Sequence, residues 1–327
     1  MKKKVLAIMV MTSILSGCGA KNNTAYVAPQ NESTATVKVG VLRTADSLPI
    51  YVGNEMGLFK EAGADVELVE FSSASDQSKA MEGGAIDAMM TDMVVQNLIT
   101  KGGTELRTVT TALGENTDEG KFLIVSSPNS NIKDIADVEG KSLAISEGTM
   151  MEFLVDSYWK ELDLDISKEE KVNTPSLALR FEMLCADEVD MAILPDPMGD
   201  LALASGCNEV INDTRLQNNY SVTVIAFTKS FIDANNETVK KFMNGYNAAV
   251  DRINEHNEED KEFIYSVANV PEPLQEKWEI PHYPKNCVPD KEEVERTVNW
   301  MVEKKLLDKA PTYEEIVDSD YIPEENS

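Results

Sequence analysis

Histidine is nearly missing: the 327 residues hold two, His256 and His282. That leaves little material for a histidine-built metal centre or a histidine-based catalytic machine, although a carboxylate centre stays open. Cysteine is scarce as well. There are four, none in Cys-x-x-Cys spacing, which favours buried structural cysteines over metal ligands. Basic residues are outnumbered, 30 Lys and Arg against 57 Asp and Glu, for a net charge of −27. A surface that negative repels phosphate backbones, so a nucleic-acid partner is not expected. No apolar run reaches the ~20 residues that a membrane span needs. Gly-x-Ser-x-Gly, His-Glu-x-x-His, the phosphate-binding loop and Gly-x-Gly-x-x-Gly do not occur. Acidic pairs are inevitable at this composition, so they carry no weight as a glycosidase signal. What is present is globular composition, 42% hydrophobic and 27% charged, with length for one large or two ordinary domains.

The amino terminus reads as an address. Lys2, Lys3 and Lys4 precede a short apolar run, Val5 to Leu15, then the small residues Ser16 and Gly17. Residues 1–17 therefore read as a signal peptide. Leu15-Ser16-Gly17-Cys18 resembles the bacterial lipobox, in which the cysteine is lipidated and becomes the first residue of the exported chain. Residues 18–36 are polar and aperiodic, a flexible tether. Cys185, Cys207 and Cys287 remain. Three is an odd number, so one disulfide plus a free thiol, or three reduced thiols, both stay open.

From Val37 onward β-rich runs alternate with helical ones. Strands are expected at 37–42, 65–71, 86–90 and 106–112, with helices at 50–62, 76–81 and 93–99 between them. A second unit restarts the pattern, with strands at 122–125, 142–145 and 189–194 and helices at 132–135, 151–159, 177–184 and 196–204. Such alternation predicts an α/β fold with parallel, doubly wound sheets. Residues 222–227 are β-like, and the remainder is helical. Its best helix is Glu237 to His256, with Val239, Phe242, Met243, Tyr246, Ala249, Val250 and Ile253 at three-and-four spacing. Residues 291–306 repeat that pattern.

Several short stretches carry a resemblance. They are Val39-Gly40-Val41-Leu42, Leu48-Pro49-Ile50-Tyr51-Val52, Gly57-Leu58-Phe59, Gly83-Gly84-Ala85-Ile86-Asp87-Ala88 and Asp137-Val138-Glu139-Gly140-Lys141-Ser142-Leu143-Ala144. In this order they resemble the extracytoplasmic solute-binding proteins of ABC importers for sulfonates, nitrate, taurine and thiamine-pyrimidine precursors, over about residues 37–255. The resemblance implies a two-lobe clamshell of the periplasmic-binding-protein type II class. Lobe 1 would be 37–118 plus 220–327, and lobe 2 would be 119–219, with crossings near 115–121 and 216–221. It also implies a monomer with no cofactor and no catalysis of its own. The chain would be lipid-anchored outside the cytoplasm and would deliver a small polar solute to an ABC permease and its ATPase. A sensor touching a membrane receptor is the alternative. An enzyme making the thiamine pyrimidine is another, though the Cys-rich motif it would need is missing.

Ligands of open α/β sheets bind at the carboxyl ends of strands. The candidate ligand-binding residues are therefore Arg43, Thr44, Asp46 and Ser47, then Ser72 and Ser73, Thr91 and Asp92, Ser146, Gly148 and Thr149, and Asp196. Each hydroxyl or carboxylate among them also fits a plain helix cap, and Arg43 fits an ion pair with a neighbouring acid. Tyr51, Tyr158 and Trp159 are candidates for stacking on a ring, or for core. One arginine among Asp46, Asp92, Glu147 and Asp196 suits an amine-bearing ligand. Free N–H groups at helix starts suit an anion. The substrate class stays open at this point.

Overall fold

A computed structural model describes residues 35–322, apart from 134 and 269 and the side chain of Pro273. The signal peptide, the lipobox Cys18 and nearly all of the tether lie outside the described residues. In chain order, the first unit is β1 (Thr36–Val41), α1 (Leu48–Glu55), α2 (Leu58–Glu61), β2 (Asp65–Glu70), α3 (Ala74–Glu82), β3 (Ala88–Asp92), α4 (Met93–Lys101) and β4 (Leu106–Leu113). The second is β5 (Phe122–Ser126), β6 (Ser142–Ile145), α5 (Met150–Glu161), β7 (Glu170–Asn173), α6 (Leu177–Cys185), β8 (Met191–Pro195), α7 (Met198–Ala204) and β9 (Asn208–Asn212). The chain closes with β10 (Thr223–Thr228), α8 (Lys229–His256), α9 (Lys261–Val267), α10 (Lys291–Glu303) and α11 (Tyr313–Ile316). Among the described residues no helix is long and apolar enough to cross a membrane.

Two five-stranded sheets result, ordered β2-β1-β3-β10-β4 and β7-β6-β8-β5-β9. They make two α/β lobes. The expectation of purely parallel sheets is corrected. β10 runs antiparallel to β3 and β4, and β5 runs antiparallel to β8 and β9. The cause is the crossing itself. β4 ends at the edge where the lobes meet, so the next strand, β5, must start there and run away from it. β9 returns to that edge, and β10 starts from it in the same manner. The strands β7 and β9 have no strand signal in the sequence, because they are short and polar, Glu-Lys-Val-Asn and Asn-Glu-Val-Ile-Asn.

Helices also differ from the expected bounds for local reasons. The single helix expected over 50–62 is two, because Gly57 takes φ +76°, a left-handed conformation that glycine adopts without steric cost. The long α8 begins eight residues earlier than Glu237 and kinks at Asn235, where φ is −137°. The expected helical turn at 132–135 is a 3-10 turn at Ile135–Asp137.

The crossing segments are tied together by polar bonds. Asp213 accepts from the Phe122 N–H at 2.9 Å, from the Tyr158 hydroxyl at 2.9 Å and from the Ser221 hydroxyl. One carboxyl thus joins the start of β5, helix α5 and the returning strand. Gly114 takes φ +86°, and a Cβ there would run into the Ser221 carbonyl oxygen, so the two crossings pass in close contact. Helix α10 bridges the lobes. Val294 and Val298 pack with Met93, Val222 and Val224, whereas Trp300 and Met301 join the core around Phe153, Leu154 and Ile193. Trp300 Nε1 donates to Asp156 on α5 at 2.9 Å, and Lys304 lies 3.0 Å from the same carboxyl.

Candidate functional site

The carboxyl ends of β1, β3, β6, β7 and β8 face one cleft between the lobes. It holds about 590 Å³ of space, counting its mouth. Thr44, Asp46, Thr91 and Asp92 line it from the first lobe, and Ser146 and Thr149 from the second. Its apolar walls include Leu42, Met90, Phe122, Met150 and Leu177. Asp196 stands in a smaller neighbouring cavity together with Thr44, Asp46 and Lys121. Its carboxylate accepts from Trp278 Nε1 at 2.8 Å, and the Ala45 N–H donates to its carbonyl at 3.1 Å. These two bonds latch one lobe onto the other.

The remaining predicted residues stand elsewhere. Arg43 turns away to Glu70, at 2.6 and 3.1 Å, and to the Val267 carbonyl at 2.6 Å, with its guanidinium 4.6 Å from the Tyr51 ring centre. An ion pair was available beside it, and it formed. Ser72 is exposed, and Ser73 caps α3 by accepting from the Asp76 N–H at 3.2 Å. Ser47 is buried outside the cleft lining. Gly148 donates its N–H to Glu152 at 3.0 Å. Tyr51, Tyr158 and Trp159 sit within the two apolar cores rather than at the cleft.

The helix start expected to bind an anion through free N–H groups is already occupied. Thr149 accepts from the Met151 N–H at 3.2 Å through its hydroxyl and from the Glu152 N–H at 3.1 Å through its carbonyl, while Asp92 and Met150 line the cleft from opposite lobes. Asp92 also caps α4, accepting from Val94 and Val95 at 2.8 and 2.9 Å. Burial nonetheless pushes its carboxyl up to about 6, against the pull of those N–H groups. Asp46 is pushed up to about 6 as well, by burial opposed by hydrogen bonds from Thr44 and Thr223.

Sequence reasoning missed Gln77, Thr223 and, above all, Arg180, all of which line the cleft. Arg180 is 1% exposed. Its Nε and Nη2 donate to the Thr174 carbonyl at 3.1 and 3.0 Å, and its Nη1 donates to the Ile193 carbonyl at 2.9 Å. A guanidinium has five N–H donors, so two remain without a partner among the described residues, and no carboxylate there pairs with it. Burial alone pulls its pKa down to about 10. The cleft is thus two-signed, with a lone buried cation contributed by the second lobe and two buried acids by the first.

Residues 44–260 match the family described as NMT1/THI5 like. A putative aliphatic sulfonates-binding protein of Bacillus subtilis (strain 168) is 24% identical over 156 residues, 46% of this chain and 43% of that relative. The chain therefore spans less than half the length of that curated relative. The alkanesulfonate-binding protein SsuA from Xanthomonas axonopodis pv. citri, bound to MOPS, superimposes with a TM-score of 0.73 at 16% identity, covering 87% of this chain and 98% of that one. The desulfurization enzyme DSZB superimposes at 0.62 and 13% identity, covering 88% and 97%. At such identities the likeness is one of fold, the two-lobe clamshell of the periplasmic binding proteins.

Proposed function

Since the chain belongs to the NMT1/THI5-like family, we propose that it is the solute-capturing component of an ABC importer. Its ligand is a small organic anion, sulfonate-like, that also presents hydrogen-bond donors. The observation that carries this reading is Arg180, a buried guanidinium with no carboxylate partner among the described residues, standing in the cleft between two lobes. Burying an unpaired charge is costly, and an anionic head supplied by the solute offsets that cost. Asp46 and Asp92 then face the rest of the solute. Lobe 1 (37–118 and 220–327) and lobe 2 (119–219) close around it as hinged halves. The cleft lining among the described residues holds two carboxyls and one guanidinium. The permease and ATPase then supply the work of transport.

A thermal-shift panel of aliphatic sulfonates, aminosulfonates, nitrate and aminopyrimidines tests the reading. A true ligand at 100 times its Kd stabilises by about 2.7 kcal/mol, a rise of several degrees. The solute should be recovered chemically unchanged. No shift across the panel removes the capture reading, and turnover of the solute replaces it with an enzyme.

In this reading Cys18 carries lipid and holds the protein at the outer face of the cytoplasmic membrane. Cys18→Ser is expected to move the protein from the membrane fraction to the soluble one. Unchanged fractionation would remove the anchor.

A further inference from the structure

Cys185 is the last residue of α6, and Cys207 directly precedes β9. Their Sγ atoms lie 3.9 Å apart, 22 residues apart in the chain, and both thiols are free. Cys207 is buried in the small core of Leu184, Val189, Ala202 and Leu194, and Cys185 borders that core half-buried. Neither lines the cleft. Cys287 stands apart in the first lobe, with its carbonyl accepting from the Thr111 N–H at 2.9 Å.

We propose that Cys185 and Cys207 are an oxidisable pair that a small-molecule disulfide converts into an intramolecular disulfide within the second lobe. A disulfide bond is about 2.0 Å long, so the sulfurs must close by about 2 Å. Rotation about the Cα–Cβ bonds supplies part of that. The rest falls on a helix end and on the loop after α7, where Gly206 already takes φ +94°. These are segments that yield more readily than the interior of an element.

The chemistry balances with the oxidant named. The Cys185 thiolate, which solvent reaches more easily, attacks one sulfur of the small-molecule disulfide and forms a mixed disulfide, releasing the first small thiolate. The Cys207 thiolate then attacks the Cys185 sulfur and releases the second. Two cysteines lose two protons and two electrons, and one disulfide becomes two thiols. Burial raises both thiols, Cys207 to about 12 with its neighbour Cys185 adding to the rise. The thiolate is the attacking species, so the reaction is slow near neutrality and accelerates with base. The bond would fix the far end of α6, the helix that carries Leu177 and Arg180 into the cleft.

The full chain, incubated with oxidised glutathione at about pH 8.5, is alkylated, digested and mapped by mass spectrometry. The expected product joins the peptides of Cys185 and Cys207, disappears on reduction, and leaves Cys287 alkylated. The melting temperature should rise by about 5 °C, as expected for a closed loop of this length in a chain of this size, and fall back on reduction. Cys207→Ser should leave only a glutathione adduct on Cys185. If that variant does not fold, the wild-type mapping decides alone. Separate alkylation of both residues, a lasting glutathione adduct on wild-type Cys185, or a bond from either to Cys18 or Cys287 would overturn the proposal.

Discussion

Replacing Arg180 by methionine is expected to weaken binding of an anionic solute by at least about 100-fold, the scale on which buried charge-assisted pairs are lost. Methionine keeps most of the volume and removes the charge. Arg43 cannot compensate, because Glu70 and the Val267 carbonyl hold it away from the cleft. The α5 start cannot either, because Thr149 already takes N–H groups of its first turn, through its hydroxyl and its carbonyl. The substitution also strips donors from the Thr174 and Ile193 carbonyls, at about 1–3 kcal/mol for each acceptor left unpaired. Relief of an unpaired buried cation offsets part of that. Calorimetric titration with the strongest anion from the thermal-shift panel measures the affinity, and a melting curve reports the fold. Arg180→Lys separates the two roles, since it keeps the charge but not the planar fork, and should lose roughly tenfold. Full affinity in a folded Arg180→Met protein would show that the anionic head sits elsewhere.

Much of this site was legible in the sequence because strand ends announce themselves. Thr44, Asp46, Thr91, Asp92, Ser146 and Thr149 each follow or end a β-rich run, and each stands at the cleft. The strand-end rule did not distinguish these from Arg43, Ser72 and Gly148. That choice depends on partners distant in the chain, such as Glu70 for Arg43. Arg180 had a signal that went unused. It is the lone charge in Val-Asn-Thr-Pro-Ser-Leu-Ala-Leu-Arg-Phe, residues 172–181. A single cation in an uncharged run is buried more readily than one in a solvated face. It stands within helix α6, and the strand-end rule reaches only strand ends.

The fold shows the same division. Alternating runs located most strands, but strand direction is not written in a run of Val and Ile. Whether β5 and β10 lie parallel or antiparallel depends on which edge of the sheet the chain enters from. Only the paired crossings at 114–121 and 213–222 decide that. The split of α1 from α2 hangs on one φ angle at Gly57, which an apolar period over 50–62 smooths away.

Acidification is expected to stabilise the ligand-free protein while weakening its hold on an amine-bearing solute. Burial pushes Asp46, Asp92 and Asp213 up to about 6. Asp196 is pushed to about 7 by burial, with Lys121 opposing and Asp200 adding. A carboxyl whose folded pKa exceeds its unfolded one holds a proton that unfolding releases. Its stabilising contribution is therefore present at low pH and lost as pH rises through the folded value. Between about pH 8 and pH 5 each group near 6 contributes about 1.4 kcal/mol, one pKa unit's worth. The opposing acids, Glu152 and Glu161 among them, lie below their ordinary carboxylate values, 4.5 for these two. Their losses therefore begin only under that pH. The melting temperature should climb by roughly 5 °C or more from pH 8 to pH 5, and a flat or inverted profile would show that these carboxyls are not buried as described. Binding runs the other way. Donor groups of an aminosulfonate and protons compete for the same oxygens of Asp46 and Asp92, so its affinity should fall up to about tenfold per pH unit below about 6. An unsubstituted sulfonate, which meets only Arg180, should not show that slope. The difference between the two slopes then reports which end of the solute the acidic side of the cleft holds.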